Sequence, residues 1–532
     1  MDVLVKGALV VDGTGGAPRE ADIGLKDGRI VVVDQGLGMA AHRIVDARGL
    51  VATPGLIDIH THSDMSLLLD GRAQSKVSQG VTTDVTGNCG FSPFPIEPAR
   101  LDLHQDLMAG LGDDAQALAW TDLEGYRQVA EQRGLAMNSA PLVGHGALRI
   151  AVMGVSTAEP DAGQLDALCA LLDRMLDQGA FGMTTGLTYV PSRYAPTSEL
   201  VALCRVLQRR GRMYATHARD RDPTGVDHRL GPLNEALHLG RETGVRVQYS
   251  HAAINTPADW GSAGRWTAHF DQALEEGLDA GFDVYPYDAS SSALTQYLPA
   301  WVVEGGVAAM RARLQDEDTL ARAEADLLQG WSAQRIPWLW DRFVLARTDG
   351  LLGTTEGQTL EQAAAQAGIS PGRLVLLLCR EGGNRVMVVL FYRTEADMLT
   401  FLTHPNCVMG SDGSAMCFDQ GGRRPHPRNF GASVRVLGRY VRERGDLDLA
   451  TAVAKMSGQV AQRLRLSDRG HIAVGQAADL TLFDPDEVAD RATYLRPTQQ
   501  AVGVRHVWVN GVPVLDDGEL TDARPGRVLR AA

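Results

Sequence analysis

The chain has 532 residues, 44% of them hydrophobic and 22% charged, a balance that supplies a large core and excludes wholesale disorder. Its net charge of −14 speaks against a nucleic-acid binder or a membrane-surface protein, both of which need a basic face. A barrel of roughly 250 to 400 residues fits within this length, with something added.

From the amino end, residues 1–53 alternate short β-type runs (3–11, 23–25 and 29–33) with turns containing Gly, Asp and Pro. The opening Met-Asp-Val-Leu-Val-Lys-Gly has an early acid and no long apolar stretch, so no signal peptide is expected. The run at 374–379 falls far short of the roughly 20 apolar residues that a membrane span needs. Six cysteines (Cys89, Cys169, Cys204, Cys379, Cys407 and Cys417) show no framework spacing and read as reduced thiols. A soluble, cytoplasmic protein is expected, with a small-molecule substrate and no nucleic-acid or membrane partner; the sequence is silent on oligomeric state.

Residues 54–465 read differently. Short apolar runs recur at 55–62, 82–90, 137–146, 181–187, 213–219, 245–251, 281–288 and 407–413, each ending in a polar or glycine-rich stretch and usually followed by a helical pattern. Eight strands alternating with helices predict a (β/α)8 TIM-like barrel. The segment 290–344 is too long for a plain connection and holds Trp301, Trp331, Trp338 and Trp340, half of the tryptophans. It is predicted to be an insertion that packs on the barrel and covers the site. Residues 466–532 return to β-type runs at 479–483, 504–509 and 512–515, with an Asn510-Gly511 hairpin turn. One small β-sandwich domain built from both termini, 1–53 and 466–532, is more economical than two unrelated appendages.

Barrel sites form at the C-terminal ends of the strands. The first run ends Asp58-Ile59-His60-Thr61-His62, and residues two apart on a strand point the same way, so both imidazoles project to one side. Two neutral imidazoles suit zinc, although a single His-x-His pair is weak by itself. The second run ends Gly87-Asn88-Cys89-Gly90, the fifth Thr216-His217-Ala218-Arg219, the sixth Ser250-His251 and the eighth Gly410-Ser411-Asp412-Gly413. Singly, Cys89 reads as a small buried hydrophobe and His217 as a satisfied core histidine. Together the six are a metal and acid–base set of N, S and O donors.

These residues carry a resemblance. With Pro54-Gly55-Leu56-Ile57, Gly144-His145-Gly146-Ala147-Leu148-Arg149, Gly186-Leu187-Thr188-Tyr189, His426-Pro427-Arg428 and Asp468-Arg469-Gly470, the chain resembles the amidohydrolase superfamily. Within it, the Asn88-Cys89-Gly90 element is similar to the D-aminoacylase group, the N-acyl-D-amino-acid deacylases. The resemblance implies zinc-dependent hydrolysis of a linear amide, with the barrel, the two-ended β-domain and the insertion. Of the four lysines (Lys6, Lys26, Lys76 and Lys455), none ends a barrel strand, so a lysine-carbamate bridge is not expected. By resemblance the Cys89 thiolate takes that ligand's place, with His217 and His251, on one tightly bound zinc. His60 and His62 offer a second, weaker position, and Asp412 acts as general base and acid. Around the substrate carboxylate the resemblance places Arg428, Tyr189 and Ser291, with His145 also assigned to substrate binding. One departure stands out: the group usually has a lysine two residues after the sixth-strand histidine, where this chain has Ala253. Either Arg428, helped by another arginine such as Arg219, holds the carboxylate, or the substrate has none there; the first is preferred. A cyclic-amide hydrolase and a non-catalytic scaffold are the alternatives.

Overall fold

The computed structural model describes residues 1–112, 118–220, 230–332 and 334–532. Short apolar runs set its centre. Eight strands, Leu56–Asp58, Val81–Thr86, Asn138–Pro141 continued as Val143–Gly144, Gly182–Gly186, Met213–His217, Arg246–Tyr249, Ala280–Val284 and Cys407–Met409, pair in parallel in chain order. The third belongs to both ladders through its break at Leu142, whose N–H still donates to Thr86. A bridge from Thr61 to Gly413 joins the first strand end to the last and closes the ring. Closure leaves no free strand edge, and both faces are covered, which is why Val81–Thr86 is buried at every residue.

The surrounding helices follow from capping and stripe. In Ala162–Asp177, Asp161 and Gln164 form a capping box, and Leu168, Leu171, Leu172, Met175 and Leu176 make one buried face. On the floor, opposite the site, the last residues of the chain run under the barrel. Val528 bridges Ser139, and the N–H of Ala531 donates to Gly179 at 2.9 Å.

The inserted segment is longer than expected. Its first strand, Ser290–Ala293, pairs antiparallel with Met387–Leu390, which also pairs with Phe343–Arg347. It therefore continues past 344 to Leu390 as a three-stranded sheet of its own, with helices Gly306–Arg313, Glu317–Leu327, Leu360–Ala367 and Pro371–Gly382. A separate core of Trp331, Phe343, Leu376 and Tyr392 holds it together. Residue 344, the expected end, falls within the strand Phe343–Arg347 in the middle of this unit, because sequence pattern does not say which sheet a strand joins.

Both chain ends meet in one nine-stranded sheet. Val51–Pro54, just before the barrel, pairs with Leu480–Phe483, just after it. Asn510 and Gly511, both at positive φ, make the tight turn between Val504–Val509 and Val512–Asp516.

Candidate metal centre

The strands end short of their chemistry. His60 and His62 follow Leu56–Asp58, Cys89 sits in the 3-10 turn Asn88–Gly90, His217 closes Met213–His217, His251 lies two residues past Arg246–Tyr249, and Asp412 three past Cys407–Met409. All six converge. One set of ligand atoms, from His60, His62, Cys89 and Asp412, and a second, from Cys89, His217 and His251, each lie within 4.8 Å of one another. Cys89 is common to both. Its Sγ is 3.3 Å from His60 Nε2 and 3.4 Å from His251 Nε2.

The backbone is bent to achieve this. Cys89 (φ 54°), His251 (φ 37°) and Asp412 (φ 53°) all occupy the left-handed region that side chains avoid, strain that persists only where the surroundings over-determine it. Around Cys89 the surroundings are small and strapped. A Cβ on Gly186 would meet the Cys89 carbonyl oxygen at 1.9 Å, so only glycine lets the turn approach. Thr184 accepts from the N–H of Gly90 at 3.0 Å and donates to the Gly87 carbonyl.

Two residues that the sequence reading did not assign to the site, Asp283 and Lys76, brace the candidate ligands. Asp283, near the end of the seventh strand, lies 3.0 Å from His60 Nδ1, accepts from the N–H of His251 at 2.8 Å and is held by Gln248 at 3.0 Å. Carboxylates that grip ligating imidazoles in this way fix ring and tautomer. Lys76, fully buried in helix Gln74–Val77, donates to Asp58 at 2.6 Å and to Ser411 at 2.7 Å. It is thereby engaged below the site and does not end a barrel strand. An acidic residue in the 281–288 run was the visible signal for Asp283; nothing marked Lys76 beyond its rarity.

The electrostatics favour a cation. Burial opposes the Cys89 thiolate, yet the charges of His60 and His251 pull its pKa well below the usual thiol range. Burial likewise opposes charging His62, but hydrogen bonds to Asp412 and Cys89 raise it to about 9. Asp412 is held well below the carboxylate range, against burial, by Arg428 and His62. Three buried acids (Cys89, Asp283 and Asp412) thus draw protons onto His60 and His62, whose pKa values rise against burial. A divalent ion would supply the same positive charge with the imidazoles neutral, as ligation requires. Nδ1 of His217, buried and without a hydrogen-bond partner among the described residues, fits a ligand atom. The donors present therefore suit zinc.

A cavity of about 1070 Å³ opens over this cluster, lined among others by Tyr189, Ala253, Tyr285, Ser291, Arg393 and Arg428. Arg428 donates to Asp412 at 2.7 Å and to the Ser291 carbonyl at 3.3 Å. Tyr189 packs edge-on against His217 at 4.9 Å. His145 does not join them. It is fully buried outside the cavity, its ring bonded to Ser192 at 3.0 Å and Glu199 at 2.7 Å, with Arg149 on the same carboxylate. Ser192 and Glu199 between them occupy both ring nitrogens, which corrects the expectation of substrate contact. Arg219 cannot be the helper of Arg428 either. Its fork is taken by Glu235 at 2.9 Å and by the carbonyls of Arg193 and Ala195.

The pattern of the Amidohydrolase family matches residues 43–515. The chain belongs to the amidohydrolase family. Among relatives over the full chain are N-acyl-D-aspartate deacylase (35% identical, 99% of this chain and 95% of that one) and D-aminoacylase (34%, 99% and 97%), both of Alcaligenes xylosoxydans xylosoxydans. N-acyl-D-glutamate deacylase from Bordetella bronchiseptica, solved with zinc and a phosphonate mimic of the tetrahedral intermediate, superposes with a TM-score of 0.83 at 32% identity, covering 100% of both chains. L-hydantoinase from Arthrobacter aurescens shares the fold at a TM-score of 0.53 and 17% identity, with 99% of both chains covered.

Proposed function

We propose that the protein hydrolyses the linear amide of N-acyl-D-amino acids, releasing a carboxylate and a free D-amino acid, with zinc as its metal. The observation that carries this reading is Cys89 placed as the common thiolate between two groups of histidines, in a chain with full-length deacylase relatives. Cys89, His217 and His251 would hold the tight ion, and His60 and His62, sharing Cys89 and with Asp412 at hand, a weaker second one. Bound zinc supplies Lewis acidity, polarising the scissile carbonyl and lowering the pKa of water toward about 7.

The remaining work falls to side chains. Asp412 takes a proton from the attacking water and returns it to the amide nitrogen as the C–N bond breaks, so the acyl carbon gains the water oxygen and the amine leaves neutral. Asp283 keeps His60 and His251 in their ligating orientation. Arg428, Tyr189 and Ser291 face the substrate from the cavity wall, and the Arg428 guanidinium suits a carboxylate.

The domain reading of residues 1–53 and 466–532 as one sandwich is supported by a shared core of Val5, Ile23, Ala52, Leu480, Leu482 and Trp508. Six free cysteines support a reducing compartment, the cytoplasm, and no helix among the described residues is long and apolar enough to cross a membrane. The test is a screen of N-acyl D- and L-amino acids, with metal analysis before and after chelation. Loss of deacylation on chelation and recovery with zinc is expected. Undiminished activity in metal-free protein would overturn the proposal.

A further inference from the structure

Arg393 follows the last strand of the inserted segment, Met387–Leu390, and reaches back into the cavity. Its guanidinium carbon lies 4.5 Å from the centre of the Tyr285 ring, and that of Arg428 lies 4.9 Å from the same centre. One buried aromatic ring thus holds two cations at the mouth of the metal cluster. Like charges this near each other call for anions between or beside them. Arg428 has its anion in Asp412 at 2.7 Å. Arg393 has no acidic partner among the described residues. Its Nε donates to the neutral side-chain oxygen of Asn255 at 2.9 Å, which fixes the plane of the fork and leaves both terminal nitrogens without a hydrogen-bond partner among the described residues. Asn255 belongs to the loop after His251, and the cavity-lining residue two before it is Ala253, whose methyl group carries no charge. A fixed, half-buried and uncompensated guanidinium in a catalytic cavity matches a planar anion.

We propose that Arg393 binds a carboxylate of the substrate and so determines specificity, delivering from the inserted segment the charge that the loop carrying Ala253 lacks. This rests on the deacylation proposed above. An N-acyl amino acid presents one carboxylate beside the scissile nitrogen, and an acidic one presents a second on its side chain. The shared chemistry is the carboxylate; the experiment separates the two sources.

Zinc-loaded full-length protein and its Arg393→Gln variant are compared on N-acetyl-D-leucine, N-acetyl-D-glutamate and the α-carboxamide of each. Loss of a charge-assisted, two-point contact is expected to raise KM about 10- to 100-fold with kcat changed less than about threefold. A rise for both acids but neither amide assigns Arg393 to the α-carboxylate. A rise for the glutamate compounds alone assigns it to the side-chain carboxylate. An equal change on all four compounds, or none, overturns the proposal. Arg393→Lys, which keeps the charge and loses the fork, should recover part of the KM. If Arg393→Gln lacks the parent's thermal transition, Arg393→Lys and Asn255→Ala carry the same comparison, with smaller rises confined to the same compounds. A parent inert toward all four would instead overturn the deacylation reading. N-acetyl-D-glutamate then serves as an unreacted titrant in calorimetry, where weaker binding by Arg393→Gln sustains the assignment and equal binding ends it.

Discussion

Replacing Lys76 by methionine tests how the barrel holds its site from beneath. Lys76 is 1% exposed, bonded to Asp58 at 2.6 Å and Ser411 at 2.7 Å, and 3.7 Å from Asp84. Asp58 in turn accepts from the N–H of Ser411 at 2.8 Å and of His60 at 3.3 Å. One ammonium therefore ties the first strand's histidines to the residue before Asp412. Methionine keeps the stem's volume but leaves two buried carboxylates facing each other. Breaking a buried pair from one side costs about 3–5 kcal/mol. Burial already raises the Asp84 carboxyl to about 7, with Lys76 opposing, so Asp84 takes up a proton in the variant and moves the cost toward the lower end, about 3 kcal/mol. The sign with pH follows. A carboxyl whose folded pKa exceeds its unfolded one favours the fold at low pH and loses that contribution as pH rises through about 7, so the variant's deficit should be larger at pH 8 than at pH 5. Because the loosened residues position His60 and Asp412, kcat should fall as well, about 10- to 100-fold. Thermal unfolding at both pH values, zinc content and kcat form the assay, with Lys76→Met/Asp58→Asn expected to regain part of the stability. An unfolding midpoint and kcat equal to the parent's would refute the reasoning.

Three further outcomes are expected. Asp412→Asn should keep the tight zinc, held elsewhere, and lose about 10²- to 10⁴-fold in kcat; near-normal turnover with full zinc would reassign the base. His104, whose pKa burial lowers to about 4, accepts from the N–H of Glu97 at 3.1 Å and stays neutral inside the fold. Its folded pKa lies below its unfolded one, so its contribution is complete above about 6.5 and is lost as pH falls toward 4, up to about 3 kcal/mol. His104→Gln should therefore gain on the parent across that window in thermal unfolding, and a constant difference would count against it. His145→Gln should lower the unfolding temperature through the Glu199 cluster yet leave KM within about twofold; a large KM effect would restore His145 to the substrate site.

Much of the site was legible because its donors sit at strand ends. His60, His62, Cys89, His217, His251 and Asp412 each close an apolar run, and in a barrel every such end reaches the same face. Asp283 was hidden by rank among acids: its run also holds Asp288, and only the ring closure sets Asp283 beside His60 at 3.0 Å. His145 misled because a motif names a residue without naming its neighbours, and here Glu199, 54 positions away, claims the ring.

By itself the sequence determined the eight strands, the hairpin at Asn510-Gly511 and a set of N, S and O donors at strand ends that suits a metal, because these depend on local pattern and on which atoms can ligate; the thiolate role of Cys89 came from resemblance. The tertiary structure alone decided the extent of the inserted segment, since strand pairing is a choice among distant partners. It also decided which charges face which. Arg219 is taken by Glu235, while Arg428, paired with Asp412, and Arg393 both face the cavity over the Tyr285 ring, distinctions that arise only when separate loops fold together.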